Sequence, residues 1–161
     1  MAIQEVKTYL RSVGMEDRIQ EFDASTATVE AAAAALGCAP ELIAKTMSFF
    51  VGETPILIVT AGDSKIDNHK FKAYFHTKAR MIPWDDVERY IGHAPGGVCP
   101  FAVKPGVEIY LDDSLKRFEY VYPAAGSAHS AVKLTPAELG EIAGEKAWID
   151  VCKTQEQTAQ V

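Results

Sequence analysis

The chain has 161 residues, a formal net charge of −6 and a hydrophobic fraction of 48%, values typical of one soluble globular domain with its own core. The acidic balance argues against broad coating of nucleic acid, while leaving room for a local basic patch. No apolar run approaches the roughly 20 residues that span a membrane, and the first residues lack the apolar core of a signal peptide. The cysteines Cys38, Cys99 and Cys152 are odd in number and widely spaced, which predicts no disulfide framework and fits the cytoplasm.

The first third of the chain predicts two helices, one short strand and one helical turn. Val6, Leu10 and Val13 recur at helical spacing, and the alanines of residues 31–35 form helices readily. In chain order we expect a helix that Gly14 ends, a short strand within residues 18–23, a helix between Thr28 and Gly37, and a helical turn from Pro40 to Ile43.

Two strands form the expected centre of the sheet. The first covers residues 44–52, and the second is the continuous apolar run at 55–62, which is typical of a strand covered on both faces. The residues from Gly52 to Pro55 would make the hairpin turn between them. We then expect a helix over residues 66–75, with Ile66, Phe71 and Phe75 facing inward, and a helix that begins at Pro83 and stops at Gly92.

The last third alternates strands with short helices. We expect strands within 107–113 and 119–124, a turn or short helix at 114–118, a strand and a helix within 131–144 with Thr135 as N-cap and Pro136 in the first turn, and a strand at 147–151. The polar sequence from about Lys153 predicts a frayed tail. Together these elements predict an α+β fold: one domain over residues 1–161, with a mixed twisted sheet that curls towards a barrel and helices around it.

Residues 95–106, with the sequence PGGVCPFAVKPG, concentrate glycine and proline around one thiol. Three explanations of this composition are open: a cysteine nucleophile, half of a metal site, or a loop whose main-chain groups themselves carry the function. Pro100 follows Cys99 and removes an N–H that an oxyanion hole would need, so we expect a small buried thiol. Gly96 and Gly97 would let main-chain groups approach a small polar substrate, although a plain turn has the same composition.

Sequence motifs for metals and nucleotide phosphates are missing. Neither Cys-x-x-Cys nor His-Glu-x-x-His occurs, the histidines are scattered, and no glycine-rich phosphate motif follows a strand. We therefore expect no metal site and no cofactor.

Lys45 stands at the end of an otherwise apolar stripe. In a strand it shares a face with Met47 and Phe49, while Thr46 and Ser48 lie on the other face. One interpretation is a lysine whose stem covers a sheet edge and whose amine stays in water. The other is a partly desolvated ammonium at the mouth of a pocket, where it would bind a phosphate or polarise an oxygen.

Residues 126–134, with the sequence GSAHSAVKL, place a glycine, a hydroxyl and an imidazole at the entrance of a strand. Ser127 and His129 would line a pocket rim there. A packed or surface histidine is the competing interpretation.

The order of these motifs resembles the YbaK / prolyl-tRNA-synthetase-associated editing domain family. The motifs are the strand lysine in AKTMSFF, then PILIVTAGDSKID, then GGVCPF, then GSAHSAVKLTPAEL, and the resemblance spans roughly residues 18–152. The length is similar to that of a free-standing member. The resemblance implies a mixed sheet with helices around it and a trans-editing deacylase, which hydrolyses the ester of mischarged tRNA.

The resemblance also implies roles for particular residues. Lys45 matches the lysine near the terminal adenosine of the substrate, and Gly97 matches the glycine whose backbone contacts the reacting ester or its water. The other residues that would line the substrate site are Gly96, Val98, Cys99, Pro100, Ser127 and His129, with the last in the place of the pocket histidine of alanine-clearing members. No cysteine nucleophile belongs to the pattern. GGVCPF carries cysteine and phenylalanine where subgroups differ, so the resemblance does not fix the size of the pocket.

The implied substrate is a proline tRNA that carries a small wrong amino acid such as cysteine or alanine. Because its ester is already activated, positioning water or the ribose hydroxyl can supply much of the rate. The implied partners are the acceptor end of tRNA and prolyl-tRNA synthetase, in the cytoplasm, with no membrane and no DNA. Two alternatives stay open: a non-catalytic module that binds aminoacyl-tRNA or a nucleotide, and a hydrolase of an unrelated small ester.

A basic segment between residues 61 and 80 offers a surface for tRNA. Its basic residues are Lys65, Lys70, Lys72, Lys78 and Arg80, against only Asp63 and Asp67. We expect a one-sided patch that receives the acceptor end, with an ordinary solvated helix face as the alternative.

Overall fold

A computed structural model, which describes residues 2–154, has a five-stranded mixed sheet that curls into a half-barrel with five α-helices around it. The helices are α1 Ala2–Ser12, α2 Val29–Leu36, α3 Asn68–Phe75, α4 Val87–Ile91 and α5 Pro136–Ala143. The strands are β1 Ile19–Glu21, β2 Ile43–Val51, β3 Thr54–Ala61, β4 Ser64–Ile66, β5 Glu108–Asp112, β6 Tyr122–Pro123, β7 Ser130–Val132, β8 Ala147–Ile149 and β9 Cys152–Thr154.

The main sheet has the strand order β6-β2-β3-β5-β8. Strands β2 and β3 form an antiparallel hairpin, whereas β2–β6, β3–β5 and β5–β8 are parallel pairs. Two small antiparallel pairs, β1–β7 and β4–β9, lie outside it. The α+β class and the mixed, curled sheet that the sequence predicts are confirmed.

The central strand β3 is covered on both faces, as its continuous apolar sequence predicts. Leu57 and Val59 belong to one buried cluster, which also contains Leu10 of helix α1. Ile56 and Ile58 belong to a second cluster on the opposite face, which Phe71 of helix α3 covers. The sheet is therefore fixed from two sides, and its edges are where a site can form.

The capping residues predicted from the sequence are found at the ends of helices α2 and α5. The Thr28 hydroxyl accepts a hydrogen bond from the N–H of Ala31 at the start of α2, and Gly37 ends that helix with a φ of 69°. Thr135 and Glu138 form a reciprocal capping box at the start of α5.

Two boundaries differ from the sequence prediction. Ile66 lies in β4, paired with Cys152, and not in a helix; α3 begins at Asn68 because the Asp67 carboxylate caps it by accepting hydrogen bonds from the N–H groups of His69 and Lys70. The predicted fraying from Lys153 is also wrong at its start, because Lys153 pairs with Lys65 in the same small sheet. The rest of the predicted tail lies outside the described residues.

The remaining differences are small and local. Helix α1 ends at Ser12, so Val13 lies beyond it and is 40% exposed. The helix expected from Pro83 begins as a 3₁₀ turn, Trp84–Asp86, before α4. The expected strand at 119–124 shortens to two residues, with one further bridge between Val121 and Leu134.

Candidate active site

A cleft of about 620 Å³ runs along the outer edge of strand β2. Its volume falls within the roughly 300–1,000 Å³ typical of small-molecule sites. Five stretches of chain meet around it: residues 26–32, residues 43–48 of β2, residues 81–87, the loop at 95–98, and residues between 122 and 131. The lysine strand and the glycine–proline loop that the sequence singled out therefore share one cavity.

Within residues 2–154, the edge of β2 leaves main-chain groups without a partner in this cleft. Strand β6 pairs with only the first two residues of β2, and further along the Ser48 carbonyl accepts from the N–H of Ile82 (3.1 Å) while the Phe50 N–H donates to the Arg80 carbonyl (2.9 Å). Main-chain groups of every second strand residue point to the same edge. The N–H and C=O of Thr46 therefore point outward, into the gap between these two pairings.

The Thr46 side chain adds a second unused group at the same place. Its Oγ1 is buried and has no hydrogen-bond partner among residues 2–154. Thr26, also on the cleft wall, is the opposite case: its hydroxyl accepts from the Ser130 N–H (3.0 Å) and donates to the Ser130 carbonyl (3.2 Å). A buried hydroxyl without a partner is costly, so Thr46 is a candidate for a hydrogen bond to a ligand.

Lys45 is the one charged side chain among the described residues that line the cleft. It is half-buried, and the described part of the chain gives it neither an ion pair nor a hydrogen bond. Burial lowers the pKa of its ammonium below the usual value. Cys152 acts in the opposite direction, the charge of Lys65 lowers the pKa further, and the charges of Asp63 and Glu30 raise it again. An ammonium that forms no ion pair with the described residues and lies beside an open cavity is suited to a negative or strongly polar ligand.

The loop reaches the cleft through Gly96 and Val98, and not through Gly97. Gly96 adopts a φ of 91°, a conformation that favours glycine. Gly97 is buried against the main chain of Ser127, where an added Cβ would lie 2.7 Å from the Ser127 N and Cα. The Gly97 N–H already donates to the Ala94 carbonyl (3.1 Å), so it is not a free donor.

Cys99 and Pro100 are buried away from the cleft wall. The sequence offered no partner for the thiol, but the structure places Cys99 Sγ 3.6 Å from Nε2 of the fully buried His93. The Nε2–H of His93 donates to the Phe101 carbonyl at 2.7 Å. Burial raises the pKa of Cys99 to about 12 and lowers the pKa of His93, so both side chains are neutral near pH 7. A neutral, inaccessible thiol packs the loop and is not an active nucleophile.

Ser127 and His129 support the cleft from outside it. The Ser127 hydroxyl bonds to the Ser130 hydroxyl at 3.0 Å, and the exposed His129 ring contacts the Ala24 carbonyl through Nδ1 at 3.0 Å. Neither lines the cleft, whereas Ser130 does. Sequence reasoning missed Thr26 and Ser130 because their contact depends on the pairing of β1 with β7, which joins residues about 110 positions apart.

The basic side chains of the predicted tRNA patch differ in whether they already bond to other groups of the protein. Lys70 is engaged, because its Nζ lies 3.1 Å from Asp150 Oδ1 and 3.0 Å from the Cys152 carbonyl. Arg80 donates to the Gly52 carbonyl at 3.1 Å. Among the lysines of this patch, those that are exposed and form no ion pair with any residue of 2–154 are Lys65, Lys72 and Lys78.

Residues 2–154 contain no cluster of three or more histidine, cysteine, aspartate or glutamate side chains that could hold a metal ion. The same residues form no helix long and apolar enough to cross a membrane.

The chain belongs to the aminoacyl-tRNA editing domain family, whose model matches residues 23–142. It is 48% identical over 157 residues to the uncharacterized protein YwhH of Bacillus subtilis, covering 97% of this chain and all of that protein. It is 33% identical over 95 residues to a proline–tRNA ligase of Limosilactobacillus fermentum, covering 55% of this chain and 17% of the ligase.

A solved structure proposed to be a trans-editing enzyme for prolyl tRNA synthetase is also similar. It superposes with a TM-score of 0.84 at 26% identity, covering 94% of this chain and 97% of that one. The family membership expected from the sequence is confirmed.

Proposed function

We propose that this protein is a trans-editing deacylase that hydrolyses the ester bond of mischarged aminoacyl-tRNA. The family and the similarity to a protein proposed to edit in trans for prolyl tRNA synthetase support this activity. The observation that carries the proposal is the cleft itself. It joins an ammonium that forms no ion pair with the described residues, an open strand edge and a glycine main chain around a volume fit for a small ligand.

The chemistry relies on positioning, since no aspartate, glutamate, histidine or cysteine is among the described residues of the cleft wall. The Lys45 ammonium stabilises negative charge that develops on the ester or lies on the terminal nucleotide. The outward-pointing main-chain groups of Thr46 and the main chain of Gly96 hold the carbonyl or the attacking oxygen, which belongs to a water or to the neighbouring ribose hydroxyl. Holding an activated ester in this geometry supplies much of the barrier reduction.

Gly97 keeps a role in this scheme, but as a positioning residue. Its lack of a side chain allows the loop to lie against Ser127, which places Gly96 and Val98 on the cleft wall. Cys99 and Pro100 act in the same way, by packing the loop from behind. Ser127 and His129 hold Ser130 and the neighbouring loop in place.

The substrate in this proposal is a proline tRNA that carries a small amino acid such as cysteine or alanine. The similarity to part of a proline–tRNA ligase supports the choice of tRNA. Separate editing is needed for small amino acids because one methylene changes binding by only about 1–3 kcal/mol. The basic segment with Lys65, Lys72 and Lys78 would receive the acceptor end, in the cytoplasm and near prolyl-tRNA synthetase.

The test is a deacylation assay on a panel of tRNAs. Purified protein is mixed with proline tRNA charged with alanine, cysteine, serine or proline, and the loss of each ester is followed against a protein-free control. We expect faster loss of at least one wrongly charged species and no acceleration for proline. Binding of these tRNAs without any ester loss would contradict the deacylase and support a non-catalytic module.

A further inference from the structure

The rim of the cleft carries an exposed aromatic side chain whose position has no structural explanation. Trp84 is 73% exposed and Met81 is 59% exposed, and both line the cleft. The other large hydrophobic side chains that are exposed within residues 2–154, Val13, Tyr74 and Tyr120, lie outside the cleft wall. An indole left in water at the mouth of a largely apolar cleft favours a role in binding.

The backbone holds this rim in a defined position. Met81 forms a β-bridge with Phe49, and the residues on either side of it hydrogen-bond to β2. Pro83, at a φ of −55°, then leads into the 3₁₀ turn that begins at Trp84. The indole therefore stands on a short, tethered segment and offers a preformed surface.

Charge and area indicate which ligand this surface fits. Lys78 and Arg80 are exposed a few residues before Trp84, while Asp85 and Asp86 follow it. A nucleotide whose phosphates lie towards the basic side and whose base lies on the indole matches this arrangement. Two exposed side chains are far short of the roughly 800 Å² per partner of a stable protein interface, which disfavours a second copy of the chain.

We infer that Trp84, with Met81 beside it, is a stacking platform for a base at the single-stranded 3′ end of the tRNA. This inference rests on the proposed function and adds a nucleobase contact to the same site. An indole accepts any base through its π-face, so the platform anchors the end of the RNA without selecting its sequence. The anchored end would then extend into the cleft towards Lys45.

The two tryptophans of the chain allow a direct test by fluorescence. Trp148 is half-buried, with the Lys116 Nζ 4.6 Å from the centre of its ring, and it does not line the cleft. The variant Trp148→Phe therefore reports on Trp84 alone, and Trp84→Phe reports on Trp148 alone. Titration with the ribotrinucleotide CCA should quench the emission of the first variant to saturation and leave that of the second unchanged.

A second measurement separates this inference from the proposed function. Trp84→Leu should weaken CCA binding by about five- to 150-fold, the range that base–aromatic stacking supplies, while Trp84→Phe retains most of the binding. Saturable quenching, together with weaker CCA binding in Trp84→Leu and retained binding in Trp84→Phe, supports the platform even if no ester is hydrolysed.

Equal affinity of Trp84→Leu and wild type for CCA would overturn the platform while leaving deacylation untouched. A change in Trp84 emission with protein concentration alone, accompanied by a dimer in light scattering, would also overturn it, in favour of a self-association surface.

Discussion

Replacing Gly97 with alanine tests whether the glycine loop works through its packing on Ser127. The new Cβ would lie 2.7 Å from two main-chain atoms of Ser127 and 2.8 Å from a third. No side-chain rotation can relieve a clash with main chain, so the two segments must separate by about 0.7 Å to regain ordinary contact. Overpacking of this kind costs about 1–3 kcal/mol, which lowers Tm by about 2–12 °C for a chain of this size.

The same displacement moves Gly96 and Val98 on the cleft wall. Because a misplacement near 1 Å costs on the order of 10²-fold in rate, we expect Gly97→Ala to lower kcat/KM for deacylation by about that factor. The assay is single-turnover loss of the aminoacyl ester at a temperature where the variant is fully folded.

Gly106→Ala is the matched control for this loss. Gly106 has a φ of 90° and nothing within 4 Å of an added Cβ, so the substitution is strained but does not touch the cleft. It should cost about 1–2 kcal/mol of stability and leave kcat/KM unchanged. Wild-type activity of Gly97→Ala, or an equal loss of activity in Gly106→Ala, would refute the reasoning.

Three further predictions concern side chains of the cleft and of the basic segment. Thr46→Val should leave the free energy of unfolding unchanged or slightly higher, since the Thr46 hydroxyl has no partner among the described residues, yet it should lower the rate of deacylation. Thr26→Val should instead destabilise the fold by about 1–3 kcal/mol, because it leaves main-chain groups of Ser130 unpaired. Charge reversal at Lys72 and Lys78 should weaken tRNA binding and reduce the salt dependence of the binding constant, and an unchanged slope in filter binding at several salt concentrations would count against the patch. Lys45→Met should be more stable than wild type at pH 7 in urea unfolding.

The difference in unfolding free energy between Lys45→Met and wild type should depend on pH, because the pKa of Lys45 is lowered in the folded chain. The unfolded chain binds more protons at this site than the folded chain between the lowered folded pKa and the unfolded value near 10.4. The wild type therefore gains stability relative to Lys45→Met as pH rises through that window. If the difference in unfolding free energy stays constant with pH, or if wild type is more stable than Lys45→Met at pH 7, the Lys45 ammonium is not desolvated.

Local sequence signals predicted the secondary structure well where they are strong. The capping residues of α2 and α5 and the apolar run of β3 lie where the sequence placed them, because each depends on residues close in the chain. The pair β4–β9 was missed because it joins residues 64–66 to residues 152–154, and three-residue strands carry too little periodicity to be recognised.

The candidate site was predicted in outline but not in detail. Lys45 and the loop do share a cavity, yet which glycine faces it depends on how the loop packs against residues 126–130. The contact between His93 and Cys99 could not be recognised from the sequence, because it depends on the three-dimensional path of the loop and no motif encodes it. That the Thr46 hydroxyl finds no partner in the described part of the chain is likewise a property of the assembled strand edge.

The most direct test of the account compares Lys45→Met with Cys99→Ala in single-turnover deacylation of mischarged proline tRNA. Both variants should fold, as judged by circular dichroism and thermal unfolding. If an ammonium beside an open strand edge carries the reaction, Lys45→Met loses hydrolysis and Cys99→Ala keeps it within a few-fold of wild type. Full activity in Lys45→Met, together with loss in a folded Cys99→Ala, would contradict the account and point to the thiol.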